Sequence, residues 1–509
     1  VVASRGGALP WVSALCGVIA GGCGGTEVLG RELQNTCQLA DYETAPEGEP
    51  PEEVKVTTFW IDANEAAALD VLEKRASSLG PAVSRTARVD RAEQQQSLKD
   101  WLTSESGRLP DSYQVNGGSD VLQWVSDKAG EDSELCPLNR VADRYGMFER
   151  YFDAALAPVS CHGQLFAVPI GIHRVNVLMY SRKALARLEE EATLQGVTLP
   201  SIESLTSSEA FVAYLELAQS LGIKNGDGTS LVPLSMGHSG SWPLTILAFD
   251  NMLAGSPGGE YEATWMGRPN GESDDDLRPG LERLVSQLER LAPVSNLDEH
   301  LSWQEATQAV GRGDALFLVM GDWALAQLRA EERADIAIVP FPGTESTFVY
   351  TPDSFSVPRR EDDDGAAAHL WLREVLDHQA TELSFARAKQ AIPAVRGLDD
   401  VALAELDSEY LVTSYKAFDA CQRPDSGCRL LLAVSGLAPP PGANPCFDEA
   451  GYLLSRIAGV PSQDELDGTS PDPERTCPTP LPRSRAEAKA QLVELLLEIS
   501  RTAYAADCR

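Results

Sequence analysis

Val168–Tyr180 reads VPIGIHRVNVLMY. The run is apolar and rich in β-branched residues, the pattern of a strand buried on both faces. Its middle nevertheless carries His173, Arg174 and Asn176. Burying an unpaired charge is very costly, so a dry core would exclude these groups. Something has to meet them: a partner group, water or a ligand.

Upstream of this stretch, strands alternate with helices. Val54–Trp60 (VKVTTFW) alternates as a strand, and Asn64–Gly80 (NEAAALDVLEKRASSLG) reads as a helix stopped by Gly80 and Pro81. Ala82–Val89 and Arg91–Ser104 repeat the pair. Asp111–Asn116 (DSYQVN) is a third strand, and Gly117–Asp127 (GGSDVLQWVSD) opens another helix. Such alternation argues for an α/β fold with a parallel sheet. Downstream, helices are expected over Ser181–Gly196, Ser207–Gly222 and Asp276–Pro293, and strands over Ala315–Met320, Asp335–Phe341 and Thr347–Pro358. Pro-rich stretches follow at 436–445 and 469–482, and Ser484–Ala505 closes the chain as an amphipathic helix. The acidic runs GESDDD and RREDDDG read as solvated loops.

At 509 residues the chain is too long for one ordinary core, so two or more lobes are expected. It carries 42 basic and 76 acidic side chains, a formal net charge of −34. That excess argues against a general nucleic-acid binder, which neutralises phosphates with Lys and Arg, and against adsorption to anionic lipid.

Arg5 is the sole charge before Glu27, and Ala8–Ala20 (ALPWVSALCGVIA) is a short apolar core followed by small residues. This is the composition of an export signal, and it is short for a membrane span. Ala20-Gly21-Gly22-Cys23 resembles a lipobox, which makes Cys23 the expected lipidation site; plain secretion is the alternative, and a buried N-terminal helix a third reading. Of ten cysteines, eight remain after Cys16 and Cys23, an even set that suits disulfides in an oxidising compartment. Proximity in sequence suggests Cys136–Cys161 and Cys421–Cys428 as pairs. Metal-ligand spacing of the zinc type is missing from the sequence, and the reading calls for no cofactor.

Four segments place polar or aromatic residues just after a strand, where open α/β sheets bind ligands. They are FWIDANEA with Trp60 and Glu65, SYQVNGGSD with Gln114 and Asn116, the opening stretch, and ALFLVMGDWA with Asp322 and Trp323. Singly, each has a plainer reading: Asp322 as a helix cap, Trp60 and Trp323 as core, and His173 as a satisfied structural histidine.

The order of FWIDANEAAAL, YQVNGGSDVLQW, GQLFAVPIGIHRVNVLMY, AVGRGDALFLVMGDWA and IVPFPGTESTFVYTPDSFSVP is also familiar. Over Val54–Pro358, and more loosely to Leu432, the chain resembles the extracellular solute-binding proteins of sugar ABC importers, in the maltose-binding-like group, nearest the glucose- and mannose-type receptors. The resemblance implies a type II periplasmic binding protein fold: two α/β lobes joined by crossing hinge strands and closing on a ligand. PIGIHRVNVLMY would be the first crossing strand and TFVYTPDSF the return. The implied plan is an export signal at 1–22, a lipid-anchored linker at 23–53 and lobe 1 at 54–167. Hinge strand and lobe 2 follow at 168–347, the return hinge and more of lobe 1 at 348–395, lobe 2 helices at 396–436, and an extension at 437–509.

A pyranose needs paired donors and acceptors for its hydroxyls and a flat aromatic surface for its apolar face. The resemblance places Trp60, Glu65, Gln114, Trp242, Asp322 and Asp353 at or near ligand positions; Asn116, His173 and Trp323 complete the expected set. Arg174 and Asn176 are expected to brace the hinge. Relatives often have two consecutive Trp and then Thr-Ser-Gly-Gly before the Glu, whereas here Trp60 is followed by Ile61-Asp62-Ala63-Asn64; where they often have His, this chain has Asn116. These departures imply an altered pocket. The expected function is capture of a small saccharide or polyol by a periplasmic or cell-envelope lipoprotein and its delivery to ABC permease subunits, without catalysis. Two other readings are a sensor or interaction module on the same fold and, further off, a carbohydrate-active enzyme using Asp322 and Asp353.

Overall fold

The computed structural model describes residues 51–502, apart from 89–90, 104–108, 126–132, 238–241, 269, 298–300, 360–364, 438–444, 460–481 and 483. The expected export signal, Cys23 and the expected linker up to residue 50 lie outside the described residues, as does most of RREDDDG.

Two sheets organise the chain. The first holds β1 (Glu53–Thr58), β2 (Ala82–Ala87), β3 (Ser112–Asn116) and β4 (Ala167–Arg174). The second holds β5 (Val177–Ser181), β6 (Val232–Ser235), β7 (Ala315–Val319) and β8 (Ile336–Pro340). The chain then returns to the first sheet with β9 (Thr347–Ser356), β10 (Ile392–Pro393) and β11 (Arg429–Leu432). The first sheet runs β10-β4-β9-β3-β1-β2, with β11 beside the start of β9; the second runs β8-β5-β7-β6. β1, β2 and β3 are parallel, whereas β9 is antiparallel to both β3 and β4.

Each sheet anchors its own core. Val54, Val56, Tyr113, Ile170, Phe355 and Trp371 lie in the first cluster, and Leu178, Phe211, Phe317, Leu284 and Leu288 in the second. The architecture is therefore two α/β lobes.

The opening stretch is two strands, not one. β4 ends at Arg174 in the first sheet and β5 begins at Val177 in the second, so the chain changes lobes at Val175–Asn176. The Asn176 side chain bridges the break: Val349 N donates to its Oδ1 at 2.9 Å, and its Nδ2 donates to Thr347 O at 2.9 Å and Thr344 Oγ1 at 2.8 Å. A buried amide here takes over hydrogen bonds that a continuous ladder would have made.

Two expectations change. The expected assignment of residues 396–436 to lobe 2 holds only for their end: Leu431, Ala433 and Val434 lie in the second core. Leu403, Leu406, Leu411, Tyr415 and Phe418 of the preceding helices pack into the first instead, because their apolar face meets Phe152, Phe348 and Tyr350. GESDDD is the start of a helix, Asp274–Leu291, rather than a loop. Ser273 and Asp276 form its capping box and Asp274 pairs with Arg268 at 2.6 Å, an acidic first turn that complements the helix dipole.

Beyond β11, helices Pro445–Ala458 and Arg485–Thr502 pack into lobe 2. Leu453, Ile457, Leu492 and Leu496 are fully buried there, and Lys489–Glu289 (2.7 Å) and Arg278–Glu494 (2.6 Å) pair the last helix with Asp274–Leu291. Cys421 and Cys428 are bonded to each other, and Cys136 and Cys161 are each disulfide-bonded.

Since Leu496 is as buried as any core leucine, Leu496→Ala should cost about 2–5 kcal/mol in urea denaturation. A loss below about 0.5 kcal/mol, the size of a surface change, would make the last helix a peripheral addition.

Candidate functional site

Three neighbouring strands bring polar groups to one place. Asn116 lies opposite Asp353, Gln114 opposite Phe355, and His173 opposite Thr351. Cross-strand partners share a face of the sheet, so Gln114, Asn116, Asp353, Thr351 and His173 gather on one face, with Phe355 of the same row packed into the lobe 1 core. Behind Asn116, two glycines let the chain turn. Gly118 has φ +95° and a Cβ there would come 2.1 Å from Gly436 O, so only glycine fits.

His173 is the centre of the arrangement. Its Nδ1 lies 2.6 Å from Asp322 Oδ1, and its Nε2 lies 3.2 Å from Asp353 Oδ2. Burial alone would lower its pKa, but the two carboxylates overcome that and raise it to about 9, so the ring is an imidazolium at neutral pH. Asp322 does not cap the turn that it begins. Its oxygens accept from His173, from Arg174 N at 3.0 Å and from Tyr410 Oη at 3.0 Å. Trp323 sets its ring edge-on to His173, with centroids 5.4 Å apart. Arg174 donates through its side chain to Asn176 Oδ1 and Thr347 O and lies 4.5 Å over the Phe348 ring, so its charge is met within the hinge.

Four atoms at this strand end are buried without a hydrogen-bond partner among the described residues: Gln114 Nε2, His173 Nε2, Thr351 Oγ1 and Asp353 Oδ2. The His173–Asp353 approach is close enough for an ion pair but out of line for a hydrogen bond. The set combines donors, an acceptor and a hydroxyl that serves as either.

Trp60 departs from its expected role. It is 2% exposed, with Phe355 and Phe385 against its ring at 5.9 and 5.6 Å and Lys389 Nζ 4.5 Å over it. No indole face is left free, and the residue serves lobe 1 as core. Glu65, just beyond, pairs with Lys389 at 2.5 Å; burial, opposed by Lys389, and the nearby Asp62 and Asp353 raise its pKa.

Across the gap, Trp242 is 38% exposed and packs edge-on to Trp303, centroids 6.1 Å apart. Gln304 Nε2 donates to Asp62 Oδ2 at 2.7 Å, a tie from lobe 2 to lobe 1. Thr351, Trp303, Gln304, Lys389 and Tyr410 were not singled out from the sequence. A signal existed for two of them: Ser302-Trp303-Gln304-Glu305 spells a capping box, which places Trp303 and Gln304 at a helix start.

Trp60→Ala should therefore cost about 3–5 kcal/mol of folding stability, measured by denaturant unfolding; a loss below about 1 kcal/mol would return the residue to the cleft wall. The folded pKa of His173 is raised, so its stabilisation is complete below about 6.5 and is lost as pH rises through about 9. Asp250 and Glu382, raised to about 7 and about 8, fade in the same direction in any variant that keeps them. The difference in Tm between the wild type and His173→Gln should thus shrink between pH 6.5 and 9.5; a constant difference would mean that the charge of His173 stabilises nothing.

Comparison with known proteins accords with this geometry. Residues 88–410 match the family model described as bacterial extracellular solute-binding protein. A probable sugar-binding periplasmic protein of Mesorhizobium japonicum is 25% identical over 384 residues, covering 73% of this chain and 83% of its own length. One of the same description from Rhizobium meliloti is 26% identical over 364 residues, covering 69% and 78%. Among solved structures, the bacterial solute receptor AcbH superposes with a TM-score of 0.61 at 17% identity, over 88% of this chain and 98% of its own. A chitin oligosaccharide binding protein superposes at 0.63 and 16% identity, over 90% and 99%. With the family model matching well over half of its length, the chain belongs to the bacterial extracellular solute-binding proteins.

Proposed function

We propose that this protein is the receptor of an ABC-type sugar importer, which captures a small saccharide or polyol between its lobes and presents it to the permease subunits. The observation that carries the reading is the set of buried atoms without a hydrogen bond on Gln114, His173, Thr351 and Asp353, of which only His173 Nε2 and Asp353 Oδ2 have an ionic contact, with each other. Leaving buried polar atoms unmade costs free energy, and a polyhydroxylated ligand offers each of them a partner. The relatives described as sugar-binding supply the same ligand class independently. Asn116, Trp242 and Trp323 complete the proposed lining, with Glu65 and Trp60 behind it and Arg174 and Asn176 as hinge braces. Closure selects the form in which both lobes touch the solute. Export follows from the family, and anchoring through Cys23 belongs to this proposal.

A glycosidase would need Asp322 free to attack or to donate a proton. Both of its oxygens instead accept from His173, Arg174 and Tyr410, which favours binding over catalysis.

A thermal-shift screen against mono- and disaccharides should reveal a ligand that raises Tm, because a ligand of the native state stabilises it. Asp353→Asn should then weaken that ligand at least about tenfold in calorimetry, the scale of a lost charge-assisted hydrogen bond. Unchanged affinity would move the ligand away from this strand end.

A further inference from the structure

Hinged receptors balance an open and a closed form, and a ligand's apparent affinity falls with the fraction of protein that is not competent to bind it. What holds the two forms apart in energy is therefore part of the site. In this structure the lobes are tied across the gap by Gln304 to Asp62 and by Tyr410 to Asp322.

The second tie has an instructive construction. Tyr410 sits in helix Glu409–Cys421, whose Leu411, Tyr415 and Phe418 are buried in the core of lobe 1. Asp322 begins the turn Asp322–Gln327, whose Ala324 and Leu325 are buried in the core of lobe 2. The Tyr410 ring packs against both cores. The other two donors to Asp322, His173 and Arg174 N, lie at the end of β4, one or two residues from the break at Val175, close to the point about which the lobes turn. Tyr410 arrives from a separate helix, so it adds a tie to Asp322 that does not run through the hinge strand.

We propose that Tyr410 is a positioning residue for ligand capture: its hydroxyl, bound to Asp322 across the gap, stabilises the closed form and so shifts the balance of the two forms toward the competent cleft. It acts through Asp322 and does not touch the solute. Asp322, at a position where the resemblance implies a ligand contact, thereby works as the lobe 2 end of a latch. The inference rests on the cleft being the solute site, although the latch itself is testable without a solute.

The test is Tyr410→Phe in the full chain, which keeps the ring and its packing. Small-angle scattering of the unliganded variant should show a larger radius of gyration than the wild type, and saccharide should restore the wild-type value. Affinity should fall about tenfold, the scale of a hydrogen bond to a charged group, while Tm without ligand stays close to wild type. An unchanged radius of gyration together with unchanged affinity would overturn the proposal and leave the hydroxyl as packing. A rise in affinity would overturn it too, since it would show Tyr410 competing with the solute for Asp322. If no saccharide binds the wild type, the function proposed above fails, and the scattering comparison still decides the latch.

Discussion

The structure turns on one imidazolium held between two carboxylates. His173, on the strand that leaves lobe 1, meets Asp322 from lobe 2 and Asp353 from the returning strand. All three are buried, and burying charge costs several kcal/mol per ion unless the geometry repays it. Here the repayment is structural. The charge can be satisfied only when outgoing strand, return strand and lobe 2 turn are in register, so the cluster specifies how the two lobes meet.

The neighbouring residues extend the same logic. Asn176 replaces a ladder at the point where the chain leaves one sheet for the other, and Arg174 spends its guanidinium on Asn176, Thr347 and the Phe348 face. The hinge is thus polar but satisfied, while the strand end beside it keeps atoms of Gln114, Thr351, His173 and Asp353 without a hydrogen bond among the described residues. That contrast separates what braces the cleft from what is available to a solute. On the lobe 2 side Gly321 matters for the same reason: a methyl there would come 2.0 Å from the Trp323 ring, so the glycine lets that indole lie against its own backbone.

Much of this was legible in the residues. Alternation marked β1, β2 and β3 and the helices between them, and the polar interruption in VPIGIHRVNVLMY marked a strand with unusual company. Other features were not. Trp60 looks the same in sequence whether its face meets a sugar or Lys389, and Lys389 lies more than three hundred residues away. Residues 396–436 read as helices, yet nothing in an apolar stripe says which of two apolar sheets it will cover. Tyr410 carries no local mark of reaching Asp322.

By itself the sequence determined the element types, the two-lobe α/β class and the strand ends at which polar side chains gather, because periodicity, turn residues and β-branching act over a few neighbours. Tertiary structure alone decided that Trp60 is sealed, that Asp322 is held by three donors, and that the last two helices complete lobe 2. Those outcomes depend on which distant groups share a space, and the energies of burial, pairing and packing are set by that company rather than by the chain on either side.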